Sequence, residues 1–152
     1  MDRAILERLR EESGLSIDEE GRFLHRGEPI THRRTLEVLW GSLERADDGR
    51  YRIRVGREAA WVRLADAPYA VRAVQGDPPR LALSDGTEEP FRPETLRLGR
   101  DGVLRCLVKG DHRARFTRAA QVALGLAMEE DSSSPSGFSL RVAGRRLPVP
   151  LE

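Results

Sequence analysis

The chain has a single cysteine, Cys106, so no intramolecular disulfide can form, and its three histidines are too widely spaced for a zinc pattern. It has no apolar run long enough to span a bilayer. The amino terminus, Met1 to Arg8, is charged throughout and lacks the apolar segment of a signal peptide. These absences lead to the expectation of a soluble cytoplasmic protein with no membrane partner. Lysine is almost missing as well: Lys109 is alone among 26 basic residues. With 25 acidic residues the formal net charge is only +1, which argues against a sequence-independent nucleic-acid binder working by phosphate neutralisation. No nucleophile elbow, calcium loop or metal constellation is present, so neither a metal nor a cofactor is expected. The chain leans away from an enzyme. A length of 152 residues is enough to bury a core without covalent staples.

What the chain does contain is a repeat. Asp18-Glu19-Glu20-Gly21 leads through Phe23 and Leu24 to His32-Arg33 and an apolar-periodic stretch ending near Leu43. Arg100-Asp101-Gly102 leads through Val103 and Leu104 to His112-Arg113 and a second such stretch ending near Met128. After each comes a glycine-opened, arginine-rich strand pattern, Gly49 to Arg57 against Gly137 to Arg145. The order of elements predicts α+β architecture with a duplicated unit: bent, mainly antiparallel sheet plus one main helix per half. The halves are taken as 1–92, with a leading helix over Asp2 to Glu12, and 93–152.

Leu36, Leu39, Trp40 and Leu43 recur at helical spacing behind a Thr31 cap. Tyr51, Ile53 and Val55 alternate with arginines, which describes a strand with one buried face. Strands are also expected near 15–17, 22–25, 60–64, 69–75, 80–84, 95–98, 103–109, 138–142 and 146–149. A long second helix is expected from His112 to about Glu129, capped by Asp111. Asp131 to Gly137 reads as a flexible, serine-rich loop, and Glu88-Glu89 as a solvated turn.

Histidine titrates near neutrality without special help, so His25, His32 and His112 are the candidates for hydrogen bonding or proton transfer. A helix amino terminus attracts anions, and arginine recognises phosphate by a two-pronged fork. Arg33 in the first half, with Arg113 and Arg115 in the second, therefore form the candidate phosphate contacts. The competing reading has these arginines paired with surface carboxylates such as Glu37. Pro68 forces Ala67 extended, so Asp66-Ala67-Pro68-Tyr69 is a bend or sheet edge. Asp66 either caps local amides or reads a ligand edge; Tyr69 stacks on a base or closes the core. Cys106 and Trp40 are expected to be buried.

Ile17-Asp18, Gly21, Phe23, His25, Gly27 and Pro29-Ile30 resemble the opening of the bacterial domain-of-unknown-function family 1285. Leu39-Trp40, Asp48 to Tyr51 and Asp66 to Tyr69 resemble its later signposts, and Ala114-Arg115-Phe116 with Arg118 extends the likeness. Ala119-Ala120 departs from it, standing where the family tends to carry aromatics. The resemblance implies a duplicated α+β core with a pleckstrin-homology-like second half. It further implies a nucleotide-like or other phosphorylated small molecule held between the halves, and a role in signalling or stress response. The alternative is a protein-interaction adaptor without a small-molecule ligand.

Overall fold

A computed structural model describes residues 12–152. The helix expected over Asp2 to Glu12 falls, but for Glu12, outside the described residues. The contacts divide the chain into two compact units, meeting in sequence at Pro68 and Tyr69. The strand opening at Tyr69 pairs with strands later in the chain and not with those before it.

Unit 1 runs β1 (Leu15–Ile17), β2 (Phe23–His25), β3 (Glu28–Pro29), α1 (Arg33–Ser42), β4 (Leu43–Arg45), β5 (Tyr51–Val55) and β6 (Glu58–Leu64). Its strands form one six-stranded sheet in the order β3-β2-β1-β6-β5-β4. All neighbours are antiparallel except β1 and β6, so the sheet is mixed. Arg26 and Gly27 both hold positive φ, 51° and 82°, which is the two-residue turn whose twist matches a tight hairpin. Ile17, Phe23, Ile53 and Val62 form the core, and Leu36, Leu39 and Trp40 of α1 pack against it. Trp40 meets the Phe23 ring edge to face at 4.5 Å. The i, i+3, i+4 pattern of α1 thus does what its spacing predicts.

Unit 2 opens with β7 (Tyr69–Gln75), β8 (Arg80–Leu83) and β9 (Glu88–Pro90), then a 3-10 turn at Pro93–Thr95. It continues through β10 (Arg97–Leu98), β11 (Leu104–Val108), β12 (His112–Phe116), α2 (Arg118–Gly125), β13 (Met128–Glu130), β14 (Phe138–Val142) and β15 (Arg145–Pro148). Its six-stranded sheet is ordered β10-β11-β12-β7-β8-β9, with β12 and β7 parallel. A three-stranded sheet, β13-β14-β15, completes the unit. Val71, Leu81, Leu96, Leu104, Val108, Phe116, Leu140 and Val149 fill the interior.

Unit 1's order β1-β2-β3-α1-β4-β5-β6 recurs in unit 2 as β10-β11-β12-α2-β13-β14-β15, and the registers recur with it. Leu43 faces Ile53, which faces Ala60; Met128 faces Leu140, which faces Leu147. Four residues on, Leu64 bridges Ile17 in parallel, and Leu151 bridges Leu98 in parallel. The Ala65 amide donates to the Ile17 carbonyl at 2.9 Å, as the Glu152 amide does to that of Leu98, also at 2.9 Å. Even a surface ion pair recurs: Glu44 with Arg54 at 2.8 Å, and Glu129 with Arg141 at 3.3 Å. This is the pattern a duplicated unit produces. The register puts Ile53 at the place of Leu140 and so Arg54-Val55 at the place of Arg141-Val142.

Two expectations about helix starts are corrected. His32, not Thr31, caps α1, its Nδ1 accepting from the Thr35 amide at 3.4 Å. The long helix from His112 does not form. Residues 112–116 are a strand because Ala114 and Phe116 alternate inward against Tyr69 and Val71, and α2 begins only after Thr117. The Thr117 hydroxyl accepts from the Ala120 amide at 3.2 Å, replacing the expected Asp111 cap. Glu88-Glu89 belongs to the edge strand β9. The serine-rich loop is knotted on Asp131, whose carboxylate accepts from Ser133 and from the fully buried Ser139 hydroxyl.

Candidate anion-binding site

Arginine dominates one face of β10, β11 and β12. Antiparallel register sets Arg97 opposite Arg105, and Arg105 opposite Arg115, so three guanidinium side chains form a cross-strand row. Arg113 lies one alternation along β12 on the same face, opposite Leu107. The opposite face of these strands carries Leu104, Cys106, Ala114 and Phe116 into the core. A row of like charges on adjacent strands is repulsive unless compensated.

Arg105 is the unusual member, being only 6% exposed. Its fork closes on Asp101, with Nη2 to Oδ2 at 2.7 Å and Nη1 to Oδ1 at 3.1 Å. Nη1 also lies 3.4 Å from Glu152 Oε1. The other oxygen of Glu152 meets Arg113 Nη2 at 2.8 Å. Arg97 Nη1 donates to the carbonyls of Glu94, at 3.0 Å, and Leu96, at 2.8 Å. The Arg105 fork, then the Val103 amide, hold the Asp101 carboxyl well below the ordinary carboxylate range, and Arg115 adds to this through space. A buried arginine paired with a half-exposed aspartate contributes little net stability, because desolvation offsets the attraction.

These side chains border a cleft of about 270 Å³ lined by Glu94, Thr95, Arg97, Arg105, Cys106, Leu107, Arg113 and Glu152. Burial first, and then Glu89, push the Cys106 thiol up to about 12, so it is neutral and not a nucleophile. A second hollow of about 500 Å³ lies in the same unit, lined mainly by apolar side chains including Leu98, Leu104, Val122, Met128 and Phe138. Among the described residues no group of three His, Cys, Asp or Glu side chains could hold a metal ion. Among them, too, no helix is long and apolar enough to cross a membrane.

The structure distributes the residues picked from the sequence. Arg113 and Arg115 share the arginine face, but on a strand and not at a helix start. His112 alternates to the other side, where it meets the buried Tyr69 ring edge to face at 5.8 Å. Lys109 Nζ lies 5.7 Å from that ring and 2.7 Å from Asp85. Asp66 is half-buried in the bend ahead of Tyr69. His25 is exposed at the end of β2, and His32 caps α1. Arg33 is exposed and pairs with Glu37 at 3.3 Å, as the surface reading had it. Arg97, Asp101, Arg105 and Glu152 were missed. Their alternation with apolar residues was visible; the register that joins them was not.

No family model and no curated protein matches the chain. Two solved structures do. A DUF1285 family protein from Silicibacter pomeroyi superposes with a TM-score of 0.71 at 19% identity, covering 91% of this chain and 80% of that one. A DUF1285 family protein from Shewanella baltica gives 0.59 at 16% identity, covering 73% of this chain and 89% of that one. The chain therefore has the fold of DUF1285 family proteins, the family that its sequence independently resembles.

Proposed function

We propose that this is a binding protein for a phosphorylated, nucleotide-like small molecule, with its anion subsite at the arginine cleft of unit 2. The observation that carries the reading is Arg105: an almost fully buried guanidinium, fixed by Asp101, in register with Arg97 and Arg115 and beside Arg113. Asp101 occupies the Arg105 fork, so a phosphate would be met by Arg105 Nη1, which also faces Glu152, together with the Arg113 guanidinium. The cleft's 270 Å³ suits a phosphate-bearing fragment, with any base or sugar extending outside. The nucleotide class, the signalling role and the pleckstrin-homology character of the second half come from the family resemblance.

The test is a thermal-shift screen against mono- and dinucleotides, cyclic dinucleotides and phosphorylated metabolites. A ligand at a hundred times its dissociation constant stabilises the native state by about 2.7 kcal/mol. One phosphorylated class should raise the melting temperature, and Arg113→Ala should abolish the rise. A flat response at millimolar ligand would favour the adaptor reading, a protein partner in place of a small molecule.

A further inference from the structure

The carboxylate of Glu152 spans two guanidinium groups, Oε1 at 3.4 Å from Arg105 and Oε2 at 2.8 Å from Arg113. One oxygen per arginine is the arrangement in which two phosphate oxygens would be held. We propose that Glu152 is an internal ligand of this subsite, and that a phosphate-bearing molecule enters by displacing it. The inference rests on the anion-site reading above and adds its regulation.

Three features favour exchange. Asp101 holds Arg105 through both Nη1 and Nη2, so the guanidinium stays in place when Glu152 leaves. The Glu152 and Arg113 side chains are 34% and 46% exposed, so the carboxylate lies on the open side and finds water on departure. Its 3.4 Å arm is long beside the 2.7–2.9 Å typical of charge-assisted bonds. A phosphate monoester carries about −1.5 to −2 near neutrality against −1 for the carboxylate, so the exchange increases the attraction to both arginines.

An internal ligand reduces apparent affinity by the fraction of time the site is open. Calorimetric titration of the full chain with inorganic pyrophosphate tests this on the wild type, Glu152→Gln, Glu152→Ala and Arg113→Ala. Both Glu152 variants should bind pyrophosphate on the order of tenfold tighter than wild type, and Arg113→Ala should lose binding. Equal affinity in wild type and both Glu152 variants, with binding still lost in Arg113→Ala, would overturn the internal ligand and leave the anion site standing. Absence of binding in wild type and both Glu152 variants, each melting cooperatively, would overturn the two together. So would binding that survives Arg113→Ala unchanged.

Discussion

Gly99 supplies the most exacting check on the geometry of Arg105. A Cβ built on Gly99 would lie 2.5 Å from Arg105 Nη1 and 2.5 Å from Asp101 Oδ1, with the Val103 carbonyl at 3.3 Å. Ordinary van der Waals contact begins about 0.9 Å farther out. Gly99 is buried and, unlike its neighbour Gly102 at φ +77°, does not occupy the left-handed region, so alanine meets no backbone strain there. The methyl group must instead wedge apart the arginine fork, and Arg105 has little room to retreat. Overpacking of this kind costs about 1–3 kcal/mol, less several tenths returned by the lower chain entropy of alanine in the unfolded state. Gly99→Ala should therefore lower stability by about 1–2 kcal/mol, read as a shift in the urea midpoint at unchanged slope. In an Arg105→Met background the same substitution should cost less by about 1 kcal/mol, a coupling that a double-mutant cycle isolates. A Gly99→Ala loss below about 0.3 kcal/mol, or an equal loss in both backgrounds, would refute the placement of Arg105.

Other consequences are separate from the cleft. Leu140 is fully buried in β14, and Leu140→Ala should cost about 2–5 kcal/mol by chemical denaturation. The exposed Val122→Ala should stay within about 0.5 kcal/mol. The Ser133 and Ser139 hydroxyls, with the Ser133 amide, hold the Asp131 carboxyl down to about 2, against about 3.9 in an unfolded chain. Between those values the unfolded state binds more protons, so the contribution of Asp131 is complete above about pH 4 and lost as pH falls through 2. Melting temperature measured from pH 5 to 2 should fall less steeply in Asp131→Asn than in wild type; identical slopes would contradict the network. Cys106 should resist iodoacetamide at pH 8 in the native protein and react on unfolding, as followed by mass spectrometry. Rapid native labelling would count against its burial.

Local periodicity made much of the fold legible. Tyr51, Ile53 and Val55 alternating with arginine, and Leu36, Leu39 and Trp40 at helical spacing, each name their element without help from the rest of the chain, whereas Leu43 continues the helical spacing but opens β4. Residues 112–116 show where that approach stops. Phe116, Ala119, Ala120 and Ala123 fit a helical stripe, whereas Arg113 and Arg115 alternating with Ala114 and Phe116 fit a strand. Pairing with β11 and β7 decides for the strand, and such long-range partners leave no local mark. The short strands β3, β4, β9 and β13 read locally as turns or helix ends, and only their pairing makes them strands. The arginine face was half-legible. Arg113 and Arg115 were singled out for a helix-start reason that the strand removes. Arg105 and Glu152, which give the cleft its fork and its bridge, become neighbours only through the register of β11 with β12 and the return of the chain past Leu98.

The most direct measurement is amide chemical-shift mapping of the full chain titrated with pyrophosphate. Saturable shifts centred on Arg97, Arg105, Leu107, Arg113 and Glu152 are the predicted result. Shifts centred instead on the start of α1, at His32 to Arg34, or no saturable shifts at all, would contradict an anion site in the arginine cleft of unit 2.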